Sequence, residues 1–166
     1  MEIVTDTNVW IDLHRGGIIA EAFRLRTTWL APDVVIEELR EPDGHLLVRR
    51  LLKLGLQRVE LSGDQVTSVQ ELAARYRRPS TADLFSLAAA KARRAVLLTG
   101  DRRLRDAAST EHVRVHGTLW LLDELVRRRL LNPAKAAAAL RRMLDRGSRL
   151  PRRDCELRLK RWRGRT

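Results

Sequence analysis

Cysteine is almost missing from this chain: Cys155 stands alone among 166 residues. A single thiol cannot close an internal disulfide, and it supplies no zinc-ligand spacing. Long apolar runs are missing too. No uninterrupted apolar segment approaches the ~20 residues that span a bilayer, and Met1-Glu2 is not followed by a basic stretch and an apolar one. Neither a membrane span nor a signal peptide is therefore expected, and the cytoplasm is the simplest address. Internal repeats and low-complexity linkers are also lacking. The four histidines, His14, His45, His112 and His116, fall in no nucleophile or ligand spacing and are read as structural or exposed.

What is present describes a folded globular chain. Hydrophobic residues make up 44% and charged residues 33%, a balance that excludes disorder, and the length suits one domain with a proper core. The net charge of +12 is unevenly placed. Residues 1–74 carry 8 Lys and Arg against 12 Asp and Glu; residues 75–166 carry 25 against 9. Such asymmetry suggests a polyanionic partner such as nucleic acid, or an acidic protein that covers the basic surface. Its ordinary explanation is a set of solvated helix faces.

Short β-type segments alternate with longer ones of helical spacing. The strands expected are Glu2–Thr5, Thr28–Leu30, Arg58–Leu61, Ala95–Thr99 and Val113–His116. Helices are expected over Val9–Leu13, Ile18–Arg26, Val34–Leu39, Leu46–Leu54, Asp64–Tyr76, Thr81–Arg93, Arg102–Ala108, Leu119–Arg129, Pro133–Arg146 and about Arg152–Arg161. This alternation predicts an α/β fold, a central mainly parallel sheet flanked by helices. Residues 1–146 are read as the domain body. Residues 147–166 form a basic C-terminal helical extension whose Leu150, Leu157, Leu159 and Trp162 suggest that it packs on or beside that body.

The acids carry the functional argument. Asp6 interrupts the apolar stretch "VTDTNVWIDL" at the end of the first strand, the edge where open parallel sheets bind ligands. Capping the next helix is its ordinary job, although Asn8 or Thr7 is placed to do that as well. Asp101, in "VLLTGDRRLRDAA", repeats the arrangement after a later strand. At ~100° per residue, Glu38 falls inside the apolar arc of its helix and Glu37 faces water, so only Glu38 is expected to turn inward. Asp83 opens the helix of "STADLFSLAAAKARR", where it complements the helix dipole and joins Ser80 in a cap. Each acid has a structural explanation taken singly. Gathered together they would repel one another unless a divalent cation stood between them, and an oxygen-only set suits Mg²⁺ or Mn²⁺.

The segments "VTDTNVWIDL", "APDVVIEEL", "STADLFSLAAAKA" and "LLTGDRRLRDAA", in this order and spacing, resemble a PIN domain, most closely the VapC-type toxins of prokaryotic toxin–antitoxin pairs. "VHGTLWLLDELVRRRLL" resembles the segment after the fourth acid in a subgroup of prokaryotic PIN proteins, so that the likeness covers roughly residues 1–150. The resemblance implies a PIN-like three-layer fold and Mg²⁺- or Mn²⁺-dependent cleavage of RNA. Asp6, Glu38, Asp83 and Asp101 become the catalytic, metal-binding set, with Asn8 and Thr99 in support. It also implies a separately encoded antitoxin and a homodimer. Arg102, Arg103 and Arg105, directly after Asp101, are candidates for holding the RNA backbone. Of the tryptophans, Trp10, Trp29 and Trp120 are assigned to packing and Trp162 to stacking or partner contact. The basic tail after Pro151 departs from the compact core usual in these toxins.

Other readings are weaker. A haloacid-dehalogenase-like phosphatase would want a second Asp where Asn8 stands, and a receiver domain would need a Lys after a late strand. A non-catalytic basic nucleic-acid-binding module gains nothing from four acids, and a PIN nuclease serving RNA processing would share the same site.

Overall fold

Apolar side chains alternate along the strands, and that alternation builds two cores. The computed structural model describes residues 1–163. Strand β1 (Glu2–Thr5) lies at the centre of a five-stranded sheet. It is flanked by β2 (Thr28–Pro32) and β4 (Val96–Leu98), with β3 (Gln57–Val59) and β5 (Val115–His116) at the edges. Every pairing is parallel. Ile3, Trp29 and Leu98 point into one core, and Val4, Leu30 and Leu97 into the other. The interior strands are therefore apolar on both faces, as parallel strands covered on both sides must be.

Ten helices are seen among the described residues, α1 (Thr7–Gly16), α2 (Ile19–Phe23), α3 (Asp33–Arg40), α4 (His45–Leu54), α5 (Gly63–Arg75), α6 (Thr81–Arg93), α7 (Arg102–Thr110), α8 (Thr118–Arg127), α9 (Pro133–Asp145) and α10 (Arg152–Arg163). Helices α5, α6 and α7 cover one face of the sheet, while α1 to α4 and α8 to α10 build the larger core on the other. That core is anchored by Trp10, whose ring stacks on Phe23 at 5.6 Å and meets Trp29 at 5.4 Å. Truncating such a buried aromatic costs about 3–5 kcal/mol. Helix α1 crosses α9 closely at Gly16, where a Cβ would stand 2.5 Å from the Met143 methyl carbon.

The expected elements are all found, with ends shifted by a few residues. The tail continues the larger core: Cys155 and Trp162 of α10 are buried with Ile3 and Trp10. Trp162 is only 3% exposed, so the stacking role assigned to it has no accessible ring; it is buried in the larger core with residues distant in sequence. No described helix is long and apolar enough to cross a membrane.

Strand order fixes where the sheet opens. The chain runs from β1 outward to β2 and β3, then returns to β4 and β5 on the opposite side. Connections leaving β1 and β4 therefore diverge, and a crevice opens at their C-terminal ends. Asp6 directly follows β1 and Asp101 follows β4 after two intervening residues, so both stand at that end of the sheet.

Candidate active site

The polar end of the sheet is built from helix caps. Asp6 is the N-cap of α1, its Oδ1 accepting from the Val9 amide at 2.9 Å. Asp101 caps α7 in the same way, accepting from the Leu104 amide at 2.9 Å. In a reciprocal box Ser80 N donates to Asp83 Oδ2 at 2.8 Å and Asp83 N donates to Ser80 Oγ at 3.1 Å. The capping work thus falls to the acids themselves, Asp6 included, and not to Asn8 or Thr7. A capping carboxylate is held in one orientation and keeps free lone pairs, so the structural and chemical jobs are compatible.

Thr99 joins two of these acids. Its hydroxyl donates to Asp6 Oδ2 and accepts from the Asp101 amide, the latter at 3.0 Å. Asp6 is the most enclosed member, 2% exposed. Burial raises its carboxyl to about 7 from an ordinary 3.8; the Thr99 hydroxyl and the Val9 amide pull it down, and Asp83 and Asp12 push it up again. Asp83 is also raised, first by burial and then by Asp101 and Glu38 against the Ser80 cap. These couplings place the four acids in one electrostatic field.

Glu38 differs from its expectation. It is exposed, as is Glu37, rather than turned into the core. It accepts from the Thr7 hydroxyl on α1, and so meets the rim of the cluster. Helical phase gave its direction around α3 correctly, but α3 lies beside the open crevice, so that direction ends in solvent. Glu37 is paired with Arg40 at 2.9 Å.

No ion pair among the described residues reaches Asp6, Glu38, Asp83 or Asp101. A buried carboxylate without a cation is costly, and here the donor set is oxygen alone. That chemistry fits a hard divalent cation. Among the described residues no three His, Cys, Asp or Glu side chains are drawn together tightly enough to ligate an ion as they stand.

A cavity of about 430 Å³ lies against the cluster, lined in part by Asn8, Asp12, Arg15, Asp101 and Arg149. Asn8 is exposed there. A second, of about 660 Å³, brings Arg78, Arg102, Arg103 and Arg149 around Asp101. Arg105 turns back and reaches the Thr99 carbonyl at 3.4 Å. Asp12, Arg15 and Arg149 carried no sequence signal: Asp12 and Arg15 follow Asp6 within one helix, and Arg149 lies in a stretch dense with arginine. Asp12 is 7% exposed and accepts from Thr118 on α8 at 3.0 Å, beside the buried Ser148 hydroxyl. Its bond to Thr118 ties α8 to α1.

Comparison with known proteins agrees with the fold. A family model described as DUF3368, a PIN domain, matches residues 2–163. A chain in the VapBC-1 structure from nontypeable Haemophilus influenzae has a similar fold, with a TM-score of 0.56 and 17% identity over 71% of this chain and 98% of that one. No curated protein matches the sequence.

Proposed function

This chain belongs to the PIN-domain family, and from that premise we propose that it is a divalent-metal-dependent endoribonuclease, the toxin of a toxin–antitoxin pair. PIN domains are generally nucleases. The observation that carries the reading is Asp6, a buried acid at a sheet edge shared with three other acids and lacking any cation among the described residues.

In this reading Asp6, Glu38, Asp83 and Asp101 hold Mg²⁺ or Mn²⁺. When bound, such an ion lowers the pKa of water and offsets charge on the scissile phosphate. Thr99 fixes Asp6 and Asp101 relative to one another through its hydroxyl. Asn8 lies at the cavity mouth beside Asp101. Arg102 and Arg103, exposed around that acid, hold the RNA backbone without reading its sequence. Arg105, held against the Thr99 carbonyl, lies close enough to assist. The basic surface supplies long-range attraction for RNA. The antitoxin partner is proposed from the VapC-type resemblance and from the VapBC-1 likeness; the homodimer rests on the resemblance alone.

The test incubates purified protein with total RNA and Mn²⁺ or Mg²⁺, beside EDTA and an Asp6→Asn, Asp101→Asn double variant. Metal-dependent cleavage by the wild type alone is expected. Cleavage that persists in EDTA or in the variant refutes the site. RNA retention without cleavage would leave a basic binding module.

A further inference from the structure

Three cavities meet at the turn after β4, and Arg149 borders all of them. Two belong to the acid cluster described above. The third, about 400 Å³, runs from Gly100 toward β5, between the start of α8 and the α9–α10 connection. That volume falls within the roughly 300–1,000 Å³ of small-ligand sites.

Its wall is unlike that of the other two. His116 at the end of β5 and Trp120 in the first turn of α8 stack with ring centroids 4.2 Å apart and planes 7° from parallel. Both residues are half-buried. Trp120 packs partly on the larger core, as expected for it, yet it also lines this cavity. Burial, with Arg105 and Arg114 nearby, holds the imidazole below its ordinary range and so favours the neutral ring. Gly117 lies between them, and a Cβ there would stand 3.1 Å from Arg105 Nη1 and 3.3 Å from the Thr99 carbonyl oxygen. Glycine therefore lets Arg105 cross the floor of the cavity toward β4. Flat ring faces beside guanidinium groups, open to a phosphodiester site, are what single-stranded nucleic acid needs: bases stack while backbone phosphates meet cations.

We propose that this cavity is a nucleobase subsite, in which an unstacked base next to the bond to be cut lies against the His116–Trp120 pair while Arg149 holds the intervening phosphate. The proposal rests on the nuclease reading, because it takes single-stranded RNA as substrate. It makes the α9–α10 connection part of the substrate site and gives the enzyme a preference at one position beside the cut.

The test measures binding in EDTA, separately from cleavage. A short fluorescein-labelled single-stranded RNA is titrated by anisotropy, together with a set in which each base in turn is replaced by an abasic ribose. For the wild type, one abasic position weakens binding by roughly tenfold, the effect of losing one stacked base. Trp120→Leu, which keeps apolar packing, binds the intact RNA about as weakly and becomes indifferent to that position. His116→Ala, at a strand end, gives the same indifference and serves if Trp120→Leu fails to fold by thermal melting. Equal losses at every position in all three proteins overturn the subsite. So does a wild type that binds no RNA, which would leave the cavity to a protein partner. If RNA is cut but no single position stands out, the subsite fails and the nuclease stands. If a single position stands out but no metal supports cleavage, the nuclease reading fails and the cavity's role beside a cut bond is overturned with it, leaving a base-stacking site of an RNA-binding protein.

Discussion

Helix α7 begins beside one buried acid and ends at another, and the two are treated in opposite ways. Glu111, its C-cap, is 9% exposed and meets three donors: Arg75 at 2.7 Å, Tyr76 at 2.8 Å and Lys91 at 2.6 Å. Its carboxyl is held below the ordinary value, chiefly by the Lys91 hydrogen bond. Asp6 is more deeply buried, yet it receives a hydroxyl and one amide and is pushed up to about 7. The protein supplies Glu111 with its cations and leaves Asp6 without one. A buried acid complete in itself is a fastener, here joining α5, α6 and α7. A buried acid left incomplete is open to a proton or a cation.

Neutralising each acid in turn should break this symmetry of burial most sharply. Asp6→Asn is expected to lower RNA cleavage by at least about 100-fold and to leave metal-free stability unchanged or higher, since a neutral amide replaces a charge that burial opposes. Glu111→Gln should do the reverse, retaining cleavage and lowering stability by about 1–2 kcal/mol as its charge-assisted bonds weaken. Initial rates and denaturant titrations on both variants decide between them; equal loss of activity in the two would refute the division.

Acidity should sharpen it further. An unfolded aspartate ionises near 3.8 and folded Asp6 near 7. Between those values the unfolded chain holds fewer protons, so the Asp6 contribution is full below 3.8 and is lost as pH rises through 7. Glu111 runs the other way: with its folded value depressed below 4.5, its contribution is present above 4.5 and fades as pH falls. In EDTA, Asp6 therefore pulls the melting temperature down between pH 5 and pH 8, and Asp6→Asn should flatten that fall. Added Mn²⁺ should raise the wild-type melting temperature more at pH 8 than at pH 5, because protons compete with the metal. A metal shift independent of pH would count against Asp6 as a ligand.

The smallest expected effect is at Thr99. Thr99→Val removes the hydroxyl that lowers the Asp6 carboxyl, so the acidic limb of the pH–rate profile should move to higher pH, with activity at high pH falling only severalfold. An unmoved profile would show that Thr99 does not set the acidity that governs the rate.

The strands were legible because β-branched and leucine residues form short runs ending in polar ones, as in "VLLTGD". Ser80 and Asp83 were legible as a cap for the same local reason, and the structure forms that box. Glu38 shows the limit. Periodicity gives a direction around a helix but no depth, and depth depends on whether a neighbouring element covers that side. Trp162 failed in the opposite sense: flanking arginines suggested a surface, while the contact that buries it comes from elements distant in sequence. Asp12 and Arg149 were invisible because their importance arises where α1, α8 and the α9–α10 connection converge, and no local pattern encodes that meeting.

The late position of Arg149 also bears on the order in which a ribosome releases the molecule. Synthesis proceeds from the N-terminus, so all four acids have left the ribosome once Asp101 has emerged. Arg149, and the helix whose Trp162 closes the larger core, follow only afterwards. A nascent chain thus acquires its acids before Arg149, the last residue in sequence to line the two cavities beside them.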